Sequence, residues 1–320
     1  MSNNQDSPLH VVLGAGAGGA TLVDELVSRG LRVRQVSRSP IDGAPAGVET
    51  GVADLSSAEQ AIAAVDGAAA VYHAVNVPYH LAVTEMPGIG RAILAGVQRA
   101  GARLVVLDTL YPYGEADGEA ITENTPWAAT SRKGRMRAEL DERYLEAHEA
   151  GRAKVVLGRA ADFYGPRVLN STLGATFFPA LLTGGTAIGF GDISLPHTYS
   201  YLPDVAAGLV DLGTTGDEST LGRSWHLPAA AAVSTARVHE LAGELNGRPV
   251  AVEVLARAEP AGPYDETFMR EYAEMFYQHT IPQNMVSTPF EEKFGRKPTP
   301  LADGLRQTIE WYRGRPASRV

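Results

Sequence analysis

The run Gly14-Ala15-Gly16-Ala17-Gly18-Gly19 spaces Gly14, Gly16 and Gly19 as Gly-x-Gly-x-x-Gly. It leaves an apolar segment and opens an amphipathic one, so free backbone N–H groups at a helix start would face an anion such as a pyrophosphate. In that arrangement Gly14 permits the tight turn and Gly16 lets phosphate approach the backbone. Gly18 completes the loop, and Gly19 lets the helix pack on the sheet. The choice of dinucleotide is read at the end of the second strand, where a carboxylate would hold a ribose 2′-hydroxyl. Here the tip is Ser37-Arg38, with Arg32 and Arg34 just before it. A guanidinium grips a 2′-phosphate in bidentate fashion and a serine hydroxyl adds a further bond, which predicts NADP(H) ahead of NAD(H). Asp54 and Leu55, after the third strand, would bracket the adenine with a carboxylate and an apolar face.

Those residues need a frame, and the first half of the chain supplies one by alternating short apolar runs with amphipathic stretches. Residues 10–13 read as a buried strand, 20–29 as a helix closed by Gly30, and 32–36 as the second strand. A helix over 57–65, a strand over 68–74, a helix over 89–100 and a strand over 103–107 follow. A long polar helix over 130–150 and a strand over 154–158 lead into Arg159. The fold class expected is α/β, a Rossmann doubly wound parallel sheet with a smaller, mainly C-terminal substrate-binding lobe. The dinucleotide-binding domain is expected over 1–165 with 200–228 returning to it. The lobe is expected over 166–199 and 229–320, where Gly, Pro and aromatic residues become frequent.

Composition narrows the functions open to such a chain. A formal charge of −9 works against binding a nucleic-acid backbone, which relies on clustered Lys and Arg. Cysteine is absent, which removes disulfides and thiolate metal sites, and the eight histidines show no paired ligand spacing, so no metal is expected. No uninterrupted apolar stretch is long enough for a bilayer, and the polar start Met1–Pro8 lacks the order of a signal peptide. The expectation is a cytoplasmic protein with a small-molecule substrate and no nucleic-acid or membrane partner.

Together these residues resemble the extended or atypical short-chain dehydrogenase/reductases, the NAD-dependent epimerase/dehydratase group, over nearly the whole chain. Val71-Tyr72-His73-Ala74 is similar to the family's fourth strand, whose end lies beside the cofactor; the resemblance therefore places Ala74, Val75 and Asn76 there. Thr109-Leu110-Tyr111-Pro112-Tyr113-Gly114 resembles the Ser/Thr-x-x-x-Tyr-Gly segment, and Thr122-Glu123-Asn124-Thr125-Pro126 the turn before the catalytic helix. Arg159 with Asp162-Phe163-Tyr164-Gly165-Pro166 is similar to the Arg…Asn-x-Tyr-Gly-Pro segment. Tyr201-Leu202-Pro203-Asp204-Val205 resembles the Val-x-Asp-Val signature. Phe294-Gly295 and Pro298-Thr299 through Trp311-Tyr312 resemble the C-terminal close. The resemblance also implies a homodimer formed through helices flanking the active site.

One departure from the family stands out. Its Tyr-x-x-x-Lys pair falls here on Ser131 and Arg135. A serine hydroxyl is not an acid near neutral pH, and a guanidinium steadies a ribose but keeps its proton. Lys133 lies two residues off that helical face. The resemblance gives Thr109 the role of polarising the substrate oxygen and Arg135 that of holding the cofactor ribose. Tyr111 is the first choice for a relocated acid, against a packing role beside Pro112. Asp162 is a second, on the expectation that a dry pocket raises its titration. Tyr113, Tyr164, His197 and Tyr199 are candidates for substrate contact, His197 and Tyr199 through the alternating run 197–201. The expected activity is an atypical NADP(H)-dependent oxidoreductase or epimerase acting on a small carbonyl, hydroxyl or sugar-like compound. An NADP(H) sensor without turnover, and a non-redox isomerase, cyclase or lyase, remain open alternatives.

Overall fold

A computed structural model describes residues 7–116 and 118–315; Met1–Asp6 of the polar start, with Asp117 and Pro316–Val320, lie outside the described residues. The chain forms two compact units. The first takes the chain up to Thr109, Arg135–Arg159 and Ala206–Trp225; the second takes Leu110–Gly134, Ala160–Val205 and the chain from His226 onward. Residues 110–134, 160–165, 200–205 and 226–228, read from the sequence with the first domain, lie in the second unit.

In the first unit the βα alternation is carried by β1 (Leu9–Leu13), α1 (Ala17–Ser28), β2 (Arg32–Ser37), β3 (Glu49–Val52), α2 (Ala58–Ala64), β4 (Ala68–His73), α3 (Ala82–Ala100) and β5 (Arg103–Thr109). Helix α4 (Arg132–Glu149) and the strands Lys154–Ala160 and Ser224–His226 follow. The seven-stranded sheet has the order β3-β2-β1-β4-β5, continued by Lys154–Ala160 and Ser224–His226. The pairs β1–β2, β2–β3, β1–β4 and β4–β5 are all parallel. This is the doubly wound α/β arrangement that the alternation predicts, with apolar strands such as Val11–Leu13, Val71 and Val105 fully buried. The chain builds outward through β2 and β3, then crosses to β4 on the other side of β1. The ends of β1 and β4 therefore meet at a topological switch point, where sheets of this kind receive ligands.

Two helices begin earlier than the sequence predicts. Helix α1 starts at Ala17 instead of Ala20, so Gly18 and Gly19 lie inside it. Helix α3 starts at Ala82 instead of Ile89 and runs through Pro87, which the helix accommodates within its second turn.

The second unit is assembled from short strands that pair across long separations. Tyr199–Tyr201 runs parallel to Asp162–Tyr164, and Ala251–Leu255 parallel to Thr186–Phe190. Its main core gathers Phe177, Phe178, Val238, Leu305 and Tyr312. Asp204 fastens the start of the last helix, Leu301–Arg313: its carboxylate accepts bonds from Thr299 N (2.6 Å) and Thr299 Oγ1 (2.8 Å). No helix among the described residues is long and apolar enough to cross a membrane.

Candidate functional site

In the first unit the glycine loop is stitched from both sides. Gly14 N donates to Val36 O at 2.8 Å, Ala74 N donates to Leu13 O at 2.9 Å, and Gln35 Nε2 donates to Gly14 O at 3.1 Å. Gly14 has φ +116°, and a Cβ there would lie 2.7 Å from Ala74 O, so both conformation and close approach demand glycine. A Cβ on Gly19 would lie 2.2 Å from Gly14 O. Gly16 differs. It is exposed, has φ −70°, and a Cβ there would meet nothing within 4 Å. It is also the cap residue of α1 and gives the helix no side-chain cap, and no acidic residue occupies the first turn. The first N–H groups of a 12-residue helix are thus left without a side-chain acceptor, the donor set suited to a phosphate anion.

At the tip of β2 the three arginines separate in role. Arg32 and Arg34 both grip Glu49 of β3, Arg32 on Oε1 (2.7 Å) and Arg34 on Oε2 (3.0 Å). Their hydrogen bonds hold the Glu49 carboxyl below the usual carboxylate range. They fasten an edge strand, which leaves Arg38 as the guanidinium beyond the strand end. Ser37 Oγ donates to Ser39 O. The Asp54 carboxylate accepts from Ser56 N and Oγ, bonds that lower its pKa, and the charge of Arg38 adds to them. Leu55 is buried in the first unit's own core. After β4, His73 Nδ1 accepts from Val75 N at 3.3 Å, which fixes the turn through Ala74, Val75 and Asn76. Burial lowers the His73 imidazole to about 3, so it is neutral.

Beneath the end of β5 lies a fully buried ionic group. Arg159 Nε donates to Asp108 Oδ2 and Arg159 Nη2 donates to Asp141 Oδ2, both at 2.7 Å. Burial, and then the charge of Asp108, raise Asp141 well above the usual carboxylate range. A side-chain hydrogen bond between Asp141 and Asp108 acts in the same direction, as expected where two carboxyl groups share a proton. Thr109 follows directly, as the half-buried last residue of β5.

In the second unit, Asp162 Oδ2 accepts from His197 Nε2 at 3.0 Å, and the Asp162 side chain is 25% exposed. Burial works to raise its pKa, but the hydrogen bond from His197 leads the opposing effects that hold the carboxyl below its ordinary range. The expected high titration of Asp162 is therefore corrected: it is an ionised acceptor. The His197 ring, itself buried, stacks at 5.7 Å on His279, whose Nε2 lies 2.6 Å from Tyr272 Oη. Burial lowers His279 to about 4, which leaves it neutral, and raises the phenol of Tyr272 far above its usual value. Tyr111 opens a single helical turn, Tyr111–Tyr113, close enough to Tyr272 and Tyr277 to act on their ionisation.

Three of the expected substrate contacts are corrected by burial. Tyr113 donates to His226 Nε2 at 2.8 Å, while His226 Nδ1 donates to Val286 O at 2.9 Å, a closed internal network. Tyr164 is 1% exposed and packs on Tyr201 within the core of its unit. Tyr199 is 4% exposed and its hydroxyl bonds Thr235 Oγ1 at 2.8 Å. Ser131 lies just before α4, where its Oγ accepts from Gly134 N at 3.1 Å, the bond of a helix cap. Lys133 is buried and donates to Glu271 Oε2 (2.9 Å) and Glu274 Oε1 (2.8 Å), a structural ion pair. Arg135 is exposed.

The near-helical spacing of Tyr272, Phe276, Tyr277 and His279 reads from the sequence as core or pocket lining, whereas sequence reasoning passes over the pairing of Asp108 with Asp141. A signal for that pairing was present: Asp141 falls among Met136, Leu140 and Tyr144 on the buried side of α4, and a carboxylate there needs a partner.

A family model for the NAD dependent epimerase/dehydratase family matches residues 10–225. No curated protein matches the chain. Solved structures that share the fold include the dTDP-glucose 4,6-dehydratase DesIV from Streptomyces venezuelae with NAD bound. It superposes with a TM-score of 0.78 and 19% identity, over 95% of this chain and 97% of that one. The UDP-glucose 4-epimerase of Thermus thermophilus, in complex with NAD, gives 0.75 and 20% over 96% and 99%. MoeE5 in complex with UDP-glucuronic acid and NAD gives 0.76 and 22% over 95% and 98%.

Proposed function

Because the chain belongs to the NAD dependent epimerase/dehydratase family, we propose that it is an NADP(H)-dependent oxidoreductase or epimerase acting on a small carbonyl, hydroxyl or sugar-like substrate. The observation that carries this reading is Gly16, a glycine no neighbour requires, at the uncapped start of α1. Gly14 to Gly19 would hold the diphosphate, Asp54 the adenosine end and Arg135 the ribose next to the nicotinamide. When bound, the cofactor supplies hydride exchange with a substrate carbon. Thr109 would orient the substrate oxygen, and Tyr111 and Asp162 are the side chains suited to exchanging the accompanying proton. Ser131 and Arg135 support a site without the family's tyrosine and lysine pair.

Arg38 supports the phosphorylated cofactor, since Arg32 and Arg34 are committed to Glu49. NAD in the related structures supports the competing choice of NAD(H). Arg38→Ala separates them. Loss of a charge-assisted contact is expected to weaken NADPH binding roughly 30-fold and leave NADH binding unchanged, as read by calorimetry. Equal losses for both dinucleotides would remove the 2′-phosphate assignment of Arg38. Turnover of the bound cofactor across a panel of aldehydes, ketones and sugar derivatives then tests the activity itself; tight binding with no turnover would favour a sensor.

A further inference from the structure

A narrow cleft lies wholly within the second unit, where the end of the helical stretch 266–279 meets the end of the strand Thr186–Phe190 and the segment 192–197. Its volume is about 190 Å³. Sites for drug-sized ligands occupy roughly 300–1,000 Å³, so this one has room for a compact compound of about one ring. Phe190, His197, Gln278 and His279 are its buried lining, and the exposed Asp192 and Pro196 stand at its mouth. Its wall is a run of flat rings. His197 stacks on His279 with centroids 5.7 Å apart, and His279 meets Phe190 at 5.4 Å. Phe190 is itself packed against Tyr264 and Phe276, which fixes its orientation. Burial keeps the His279 imidazole neutral. Flat, uncharged rings favour a planar apolar body against them.

Charge and hydrogen bonding narrow the ligand further. No Lys or Arg lines the cleft among the described residues. Asp192 supplies a carboxylate instead, and its bonds from Ser194 N (2.9 Å) and Ser194 Oγ (2.6 Å) keep it ionised. A phosphate or carboxylate entering here would lose water and meet no cation. Gln283 adds an unanswered donor: the residue is 4% exposed, and its Nε2 has no hydrogen-bond partner among the described residues. Gln283 pairs with His197 in a parallel bridge, Gln283 N donating to Pro196 O at 2.9 Å and Thr198 N to Gln283 O at 2.8 Å. Paired residues of a bridge project to the same side, so the Gln283 amide and the His197 ring share one face. A buried amide without a partner costs stability, and a ligand that answers it recovers that cost. We propose that this cleft is a binding site for a small, uncharged, planar ring compound bearing a carbonyl group, and that it rejects phosphate esters and nucleoside diphosphates. The ring would lie against Phe190 and His279, its carbonyl oxygen would accept from Gln283 Nε2, and Asp192 would turn anions away at the mouth. The site goes beyond the dinucleotide reading and is independent of it, since every residue it uses belongs to the second unit.

Benzamide, benzoate and phenyl phosphate test this as probes, since they share one ring and differ in the charge of the group it carries. Each is titrated into the full chain without dinucleotide, and the assigned histidine ring signals are followed by NMR. Benzamide is expected to move the His197 and His279 signals saturably, with benzoate and phenyl phosphate bound about 10-fold more weakly or worse. Asp192→Asn keeps an acceptor for Ser194 and removes the charge, so the preference for benzamide over benzoate should shrink about 3-fold with benzamide affinity unchanged. Gln283→Leu is expected to weaken benzamide about 10-fold while Tm holds or rises, because an unanswered buried amide has been removed. Benzoate or phenyl phosphate binding as tightly as benzamide overturns the proposal. So does benzamide that leaves both imidazole signals unmoved, or that binds Gln283→Leu as well as wild type. A fall in Tm in Gln283→Leu would give the amide a structural role and overturns it too. All of these are read without cofactor, so a protein that binds no dinucleotide loses the redox reading and keeps this site.

Discussion

Gly16→Val is expected to remove dinucleotide binding while the protein stays folded. A valine is compatible with φ −70° at that position, and its Cβ meets no atom of the chain within 4 Å. The cost to the fold is that of a poorer helix cap, about 1 kcal/mol, or roughly 2–4 °C in Tm for a protein of this size. A diphosphate bound by the first N–H groups of α1 would have to share the space with two methyl groups, and a loss of about 100-fold or more follows. Gly14→Val should behave oppositely. Its side chain would run into Ala74 O, 2.7 Å from the Cβ, at a φ of +116° that valine resists, and a destabilisation of about 3 kcal/mol or more is expected. Calorimetry paired with thermal melts checks both variants. Wild-type affinity in Gly16→Val would show that the loop does not receive the ligand.

The second large effect concerns Asp108, Asp141 and Arg159. Two carboxyl groups share one buried guanidinium, and the proton on Asp141 leaves a single negative charge opposite it. Asp141→Asn keeps an acceptor for Arg159 and a donor for Asp108. Asp108→Asn lets Asp141 ionise in its place. Each single change is expected to cost about 1 kcal/mol, whereas the double variant strands the guanidinium and costs roughly 3–5 kcal/mol, far from additive. The pH dependence has a definite sign. The folded pKa of Asp141 is raised, so its proton-linked contribution is complete below the ordinary carboxylate range and is lost as pH rises through the folded value. Asp141→Asn lacks that loss, so its stability relative to wild type should improve with rising pH in denaturant titrations. Additive single and double costs would dissolve the shared-charge account.

The first unit was legible because its signals are local. Apolar strands alternate with amphipathic helices, and Gly14, Gly16 and Gly19 mark the exit of β1, so the parallel sheet and its loop follow from neighbours in the chain. The second unit was not, because its geometry is set by pairing at a distance. Tyr199 lies opposite Asp162 in a parallel pair, and only that register brings His197, two residues earlier, to the Asp162 carboxylate. A three-residue strand carries too little alternation to announce its partner. The same holds for burial: Tyr113, Tyr164 and Tyr199 have residue types suited to a substrate, yet His226, the C-terminal core and Thr235 claim them. Arg32 and Arg34 looked available until Glu49 joined the sheet beside them.

Ser131 limits what a single substitution can install at the start of α4. Its hydroxyl starts α4, and the turn around it is tight: the Ala129 methyl, the Ser131 hydroxyl itself and the Tyr111 carbonyl all lie within 2.8 Å of where a Gly134 Cβ would sit. A tyrosine placed at position 131 would forfeit the cap and bring a ring to that crowded turn before any lysine placed at position 135 could cooperate with it. Ser131→Tyr alone is thus expected to lower stability by about 1 kcal/mol, the worth of a helix cap, so a tyrosine and lysine pair could be installed here only together with a change that relieves the turn.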